Sequence, residues 1–250
     1  MSLAITVLGS SGMYATAERA ASGYLVQAGG RNIWMDAGPG TWQNLMSIID
    51  FEAIHAVVLS HVHPDHTTDL FQAYHARCYG VPEPLSPIPL LAPEQTLERV
   101  AGYVGGLDKT FDLEAVSAGR TIEVGSAKFA FFAMEHPVDT LGARIEAGGG
   151  IIAYTADSGR TGDLHALAKG SDLLISEATL QDQDGSWSGH MSASEAGALA
   201  AECGTARLVL THLPPRRDLE VSLAEAQGAS QGIEVELAED GHRYEVGEGL

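Results

Sequence analysis

The chain has 250 residues and carries 33 Asp and Glu against 14 Lys and Arg, a formal charge of −19. It lacks the Lys/Arg stripe that neutralises a phosphate backbone, and a surface of this sign repels a long polyanion, so no long nucleic acid is expected as a partner. No apolar run approaches the length of a membrane-spanning helix, and the first residues enter an alternating strand with no basic leader, which predicts a cytoplasmic protein without a membrane partner.

Residues 3–8 alternate as a strand. Strands over 24–27 and 32–36 follow, and Gly29-Gly30 between them is a hairpin signal. A helix is predicted over 41–49 and a Val-rich buried strand over 56–59. A helix over 69–79 puts Leu70, Phe71, Tyr74 and Cys78 on one face. Prolines crowd residues 81–87, which read as a loop, and 94–104 reads as a helix. The second half repeats the alternation. Strands are predicted at 112–116, 121–124, 128–134, 143–146 and 151–155, a helix at 163–168 and a strand at 173–176. A helix over 192–202 starts with Ser192 and Glu195 in a capping-box pattern. A strand at 207–211 and a helix at 222–231 follow, and Val235 and Tyr244 suggest a closing hairpin. No linker divides the chain, so residues 1–250 read as one domain. Cys78 and Cys203 lie far apart in helical segments and read as reduced core residues.

The densest chemistry lies in Ser60-His61-Val62-His63-Pro64-Asp65-His66, directly after the buried strand. Imidazole and carboxylate suit zinc and similar first-row ions. Four ligands in so short a loop cannot all serve one ion, but they can serve two neighbouring ions if the chain supplies more. Three further ligand types stand at the ends of apolar runs: His136, Asp157 and His212. Asp36 also ends an apolar strand, where it can hydrogen-bond a ligand imidazole or cap the next helix. His190 stands just before a helix start. His55, His75, His165 and His242 lack such placement and read as structural. The turn at Ser10-Ser11-Gly12 and the aromatics Tyr14, Trp42 and Trp187 are weak candidates for substrate contact.

The pattern HxHxDH, then a distant His, an Asp and a final His, resembles the metallo-β-lactamase fold superfamily. Leu8-Gly9-Ser10-Ser11-Gly12 looks like its first strand and glycine loop. Asp36-Ala37-Gly38-Pro39-Gly40-Thr41 resembles the DxGxGT segment of the tRNase Z-like branch, Glu177-Ala178-Thr179 its EAT element, and the stretch from His190 to Ala196 its HxxxxEA helix start. The resemblance implies an α/β four-layer αββα sandwich. It assigns His61, His63 and His136 to a first metal, Asp65, His66 and His212 to a second, and Asp157 to a bridge between them. The cofactors implied are two divalent ions, zinc first, with manganese or iron as alternatives. A water between such ions ionises near neutral pH and would be the nucleophile, with Asp65 collecting its proton. His190, oriented by Glu177, would serve the leaving group. Related proteins are often dimers, so a homodimer is a possible assembly by analogy.

Two departures narrow the reaction. In tRNase Z a long arm that grips the tRNA lies between the third-position His and the bridging Asp, and here His136 and Asp157 are separated only by a hairpin's length around Gly148-Gly149-Gly150. The usual Gly three residues after HxHxDH is here Asp69. The pattern is similar to a short branch that includes cyclic-nucleotide phosphodiesterases. The leading expectation is therefore a dinuclear metal-dependent phosphodiesterase acting on a small anionic substrate, such as a cyclic nucleotide. The alternatives are hydrolysis of a lactone, thioester or sulfate ester, a tRNase Z-like endoribonuclease, an iron-dependent oxidoreductase of the same fold and, last, a non-enzymatic metal-binding module.

Overall fold

The computed structural model describes residues 3–247. The first half of the chain supplies β1 (Leu3–Gly9), β2 (Gly23–Ala28), β3 (Arg31–Ala37), β4 (Ala56–Val58), β5 (Ile88–Ala92) and β6 (Phe111–Ala115). The second supplies β7 (Thr121–Val124), β8 (Ala127–Ala133), β9 (Leu141–Ala147), β10 (Gly150–Tyr154), β11 (Leu173–Glu177), β12 (Arg207–Thr211) and β13 (Glu234–Leu237), while β14 (Arg243–Val246) returns to the first sheet. The two seven-stranded sheets run β14-β1-β2-β3-β4-β5-β6 and β13-β12-β11-β10-β9-β8-β7. In the first, β3, β4, β5 and β6 are mutually parallel, and in the second β10, β11, β12 and β13 are.

Strand periodicity builds the layers. In β3, Ile33 and Met35 face the second sheet while Trp34 faces outward, and in β10 Ile152 and Tyr154 face inward while Ala153 faces out. The inner faces make one apolar layer that includes Ile5, Val26, Phe129, Ile145 and Ile175. Helices close the outer faces. On the first sheet α1 (Thr41–Met46), α3 (Leu70–Tyr79) and α4 (Glu94–Tyr103) bury Leu45, Leu70 and Leu97. On the second, α5 (Leu164–Ala168), α6 (Ala193–Cys203) and α7 (Leu219–Ala229) bury Leu167, Leu199 and Ala226. The result is the αββα sandwich. Parallel strands covered on both faces explain why β4, β11 and β12 read as unbroken apolar runs rather than alternating ones.

Three local expectations are corrected. Val235 and Tyr244 do not form a closing hairpin: β13 pairs parallel with β12, and β14 pairs antiparallel with β1 in the other sheet. Alternation marks a strand but not its partner, and the short link between the two crosses from sheet to sheet. Strand β5 has no counterpart in the sequence reading, which assigns nothing between the proline-rich loop ending at residue 87 and the helix from residue 94. Pro89 is tolerated since β4 pairs only with Leu90 and Leu91, so the missing N–H falls beyond that ladder. The ligand loop itself contains a short helix, α2 (Pro64–Thr67), with Pro64 in its first turn. The two glycine turns form as expected, with φ of 58° and 76° at Gly29 and Gly30, and 58° and 78° at Gly148 and Gly149. Cys78 and Cys203 are free thiols.

Candidate metal centre

The C-terminal ends of strands from both sheets meet at one edge of the sandwich. The turn after β4 presents His61 and His63, and α2 presents Asp65 and His66. His136 follows β8, Asp157 follows β10 and His212 follows β12. The backbone turns through the left-handed region at Asp36 in β3 (φ 55°), at Ala156 after β10 (51°), at His212 after β12 (53°) and at Met13 (66°). Such backbone costs energy for non-glycine residues, and it clusters where side chains must be aimed. Glycine makes the approach possible elsewhere: a Cβ on Gly38 would lie 2.1 Å from the carbonyl oxygen of Asp65, and one on Gly12 would lie 2.5 Å from that of His212.

All seven residues singled out as ligands come together. Donor atoms of His61, His63, His136 and Asp157 lie within 4.8 Å of one another, as do those of Asp65, His66 and His212. The Nε2 atoms of His61 and His136 each stand 3.1 Å from His63 Nδ1. Asp157 lies between the groups. Its Oδ2 is 3.7 Å from His61 Nε2, 3.9 Å from His136 Nε2 and 3.4 Å from His212 Nε2, and its Oδ1 is 3.4 Å from His66 Nε2. Asp65 Oδ2 is 3.3 Å from His212 Nε2 and accepts the N–H of Met13 at 3.0 Å.

The outward nitrogens explain how the rings are held. Asp36 accepts four hydrogen bonds, from Ser60 N–H, Ser60 Oγ, Tyr154 OH and His66 Nδ1, at 2.7 to 2.8 Å. Because the Ser60 hydroxyl donates to Asp36, it accepts from His61 Nδ1 at 2.9 Å. His136 Nδ1 donates to the carbonyl of Gly189 at 2.9 Å. His212 Nδ1 lies 2.9 Å from Thr179 Oγ1. With Nδ1 protonated in each, the Nε2 lone pairs of His61, His66, His136 and His212 point inward, the arrangement a metal ligand needs. His63 alone turns its Nδ1 inward. His66 Nε2 and Asp157 Oδ1, 3.4 Å apart, are buried and make no hydrogen bond among the described residues. An imidazole lone pair and a carboxylate oxygen, orphaned together in a nest of imidazoles, fit a divalent cation.

The electrostatics agree. Burial, with the neighbouring His66 charge, lowers the pKa of His61 well below its usual value. Burial also opposes a charge on His66, but the carboxylates of Asp157 and Asp36 outweigh it and raise its pKa well above the ordinary range. His212 is raised by Asp157 and Asp65 against the same burial penalty. Asp157 and Asp65 are depressed, burial being overcome by the histidines around them.

Next to this nest, His190 Nδ1 lies 2.8 Å from Glu177 Oε1. Glu177 is fully buried, and its two oxygens also accept the N–H groups of Ser158 and Thr179 at 2.8 and 3.1 Å. The His190 ring stacks on His212 at 5.4 Å and 20°. One donor atom each of Asp157, His190 and His212 falls within 4.8 Å of the others. Four contributors escaped the sequence reading: Ser60, Tyr154, Thr179 and the Gly189 carbonyl. Thr179 sits inside a motif quoted for the resemblance and Ser60 directly precedes another, and adjacency to the ligands was the available signal. Tyr154 had none, since a strand tyrosine reads as packing. The half-exposed Trp187 lies 5.0 Å from the His190 ring, whereas Trp42 packs on Trp34. Asp69 accepts the N–H of Trp42 at 2.9 Å and so ties α3 to α1. His55 and His165 bond Asn32 and Glu202, away from the nest.

Known proteins show the same arrangement of sequence and fold. The chain is 32% identical over 249 residues to the probable metallo-hydrolase YhfI of Bacillus subtilis, covering 96% of this chain and 99% of that one. The crystal structure of YhfI superposes with a TM-score of 0.90 at 31% identity, covering 98% and 99% of the two chains. Ribonuclease Z of Bradyrhizobium sp. (strain ORS 278) is 29% identical over 280 residues, with 88% and 92% covered. A diphosphatase of the PhnP family shares the fold, with a TM-score of 0.76 at 23% identity and 98% of each chain covered. The model of the beta-lactamase superfamily domain matches residues 31–213, which hold all seven clustered donors, and the chain belongs to that superfamily as a metallo-hydrolase.

Proposed function

We propose that this metallo-hydrolase is a dinuclear phosphodiesterase for a small phosphodiester such as a cyclic nucleotide. His61, His63 and His136 would hold one divalent ion, Asp65, His66 and His212 the other, and Asp157 both. The imidazole-rich donor set suits zinc, with manganese or iron as alternatives. When bound, the two ions supply Lewis acidity at the phosphoryl oxygens and acidify water. The side chains do the rest. Asp65 stands at the mouth of the nest with Met13 N–H on its Oδ2, placed to accept a proton from the attacking water. Glu177 accepts a hydrogen bond from the Nδ1–H of His190 and so orients the ring for its Nε2–H to donate to the departing oxygen.

The buried Glu177–His190 pair carries this reading. A site built only to bind metal has no use for an imidazole oriented by a solvent-excluded carboxylate beside the ligands. An alkoxide leaving group needs the proton such a pair delivers, whereas lactone opening needs it less. Likeness to a ribonuclease Z supports phosphodiester chemistry. The tight turn between β9 and β10 and the charge of −19 favour a small substrate over a tRNA.

Metal analysis combined with hydrolysis of bis(p-nitrophenyl) phosphate and of 2′,3′- and 3′,5′-cyclic nucleotides tests the reading. Asp65→Ala is expected to lose activity. His190→Ala is expected to keep its metal while turnover falls about 10²- to 10⁴-fold, the range of general acid catalysis. A full rate in His190→Ala would remove the acid role. Oxygen uptake by an iron-loaded sample without ester cleavage would replace the hydrolase reading.

A further inference from the structure

Trp187 is 52% exposed, and its indole meets a side chain of the site. Its ring centroid lies 5.0 Å from that of His190, at 39°. His190 also stacks on His212 and meets His136 edge-on at 5.2 Å, so the imidazole residue itself is only 9% exposed. The indole is fixed to the same frame. A Cβ on Gly189 would lie 3.3 Å from Cζ3 and Cη2 of Trp187, so the six-membered ring rests over that glycine. Gly189 N–H donates to the Trp187 carbonyl at 2.9 Å, and the Gly189 carbonyl is the acceptor that holds His136.

The segment that carries the indole, between β11 and α6, is pinned along its length. Leu180 N–H donates to the Met191 carbonyl at 3.0 Å, Gln181 Nε2 to the Asp218 carbonyl at 2.8 Å, and Arg217 Nη2 to Asp184 Oδ1 at 2.7 Å. Half of a large aromatic is therefore held in water on a tied support, where it forfeits the gain of burial. The other two tryptophans take the opposite course: Trp34 is buried and Trp42 packs on it. In the proposed reaction His190 donates to the departing oxygen, so the organic group on that oxygen emerges beside the indole. A π face accepts a planar ring and needs no cationic side chain, which suits a chain of charge −19.

Resting on the phosphodiesterase reading, we propose that Trp187 is a specificity-determining residue whose exposed indole stacks on the nucleobase of the substrate. Binding and turnover test the two claims separately. Calorimetry and tryptophan fluorescence on the metal-loaded protein compare adenosine 5′-monophosphate with ribose 5-phosphate, which lacks the base, and cyclic-nucleotide hydrolysis is measured on the same sample. We expect the nucleotide to bind about 5- to 100-fold more tightly, the range of base–aromatic stacking, and to quench indole emission. Trp187→Ala should bring that ratio to about one. Trp187→Phe, which keeps a ring, should retain most of the preference while the quench disappears, because Trp34 and Trp42 are engaged with each other. In hydrolysis the loss in Trp187→Ala should fall on KM rather than on kcat. An equal ratio in wild type and Trp187→Ala, or no nucleotide binding at all, overturns the stacking role even if the cyclic nucleotide is cleaved. A loss confined to kcat also overturns it and makes the indole a support for His190. Base-dependent binding through Trp187, in a protein that leaves cyclic nucleotides intact, would keep the stacking role and remove the phosphodiesterase reading.

Discussion

Asp36 concentrates the logic of the site in one carboxylate. Buried and held in left-handed backbone, it collects donors from the ligand loop, the second sheet and a ligand ring. Its removal frees the His66 ring to reorient and leaves Tyr154 without its acceptor. Asp36→Ala is expected to weaken metal affinity about 10- to 100-fold, measurable by competition with a chromogenic chelator. Protons report the same nest. His66 and His212 have raised pKa values in the metal-free protein because Asp157 faces both. A cation must displace those protons, so metal affinity is expected to rise as the pH increases through neutrality. Calorimetric titration in buffers of different ionisation enthalpy would detect the released protons, and an affinity independent of pH would contradict the assignment. The candidate ligands were legible as residues because each follows an apolar run. Their hydrogen-bond partners were not: Tyr154 meets Asp36 across 118 positions of sequence.

Among the elements, the ends matter more than the bodies. The strands are ordinary buried β-structure, and the chemistry begins where they stop. Close approach at those ends requires glycine. In Gly38→Ala the new methyl would meet the backbone of both Asp65 and Ser22, and neither can retreat without moving the ligand loop. A loss of about 1–3 kcal/mol in urea unfolding is expected, together with weaker metal binding. At α6 the Ser192 hydroxyl accepts from Glu195 N–H while the Glu195 carboxylate accepts from Ser192 N–H. Ser192→Ala is expected to cost about 1 kcal/mol by the same measurement. This cap was readable because its determinants lie three residues apart. Strand β5 was not, because Pro89 argues against a strand until the short reach of β4 is known.

For the molecule as a whole, the two sheets are held together by their shared apolar layer and carry an imidazole-rich nest at one edge. Ions that bind only the folded state add stability by mass action, about 2.7 kcal/mol at a hundredfold excess over the dissociation constant. For a chain of this size that corresponds to a melting temperature about 5–10 °C higher than after chelation. A scanning calorimeter reading the same melting temperature with and without chelator would argue against a folded-state metal site.

The sequence by itself determined the strand–helix alternation, the glycine turns, the α6 cap and the order of the ligand types, because each is written in residues that are near neighbours. Only the tertiary structure decided which sheet β13 and β14 join and which partner orients each imidazole. Those are contacts between distant parts of the chain, and local propensity carries no information about which distant surface a buried group will meet.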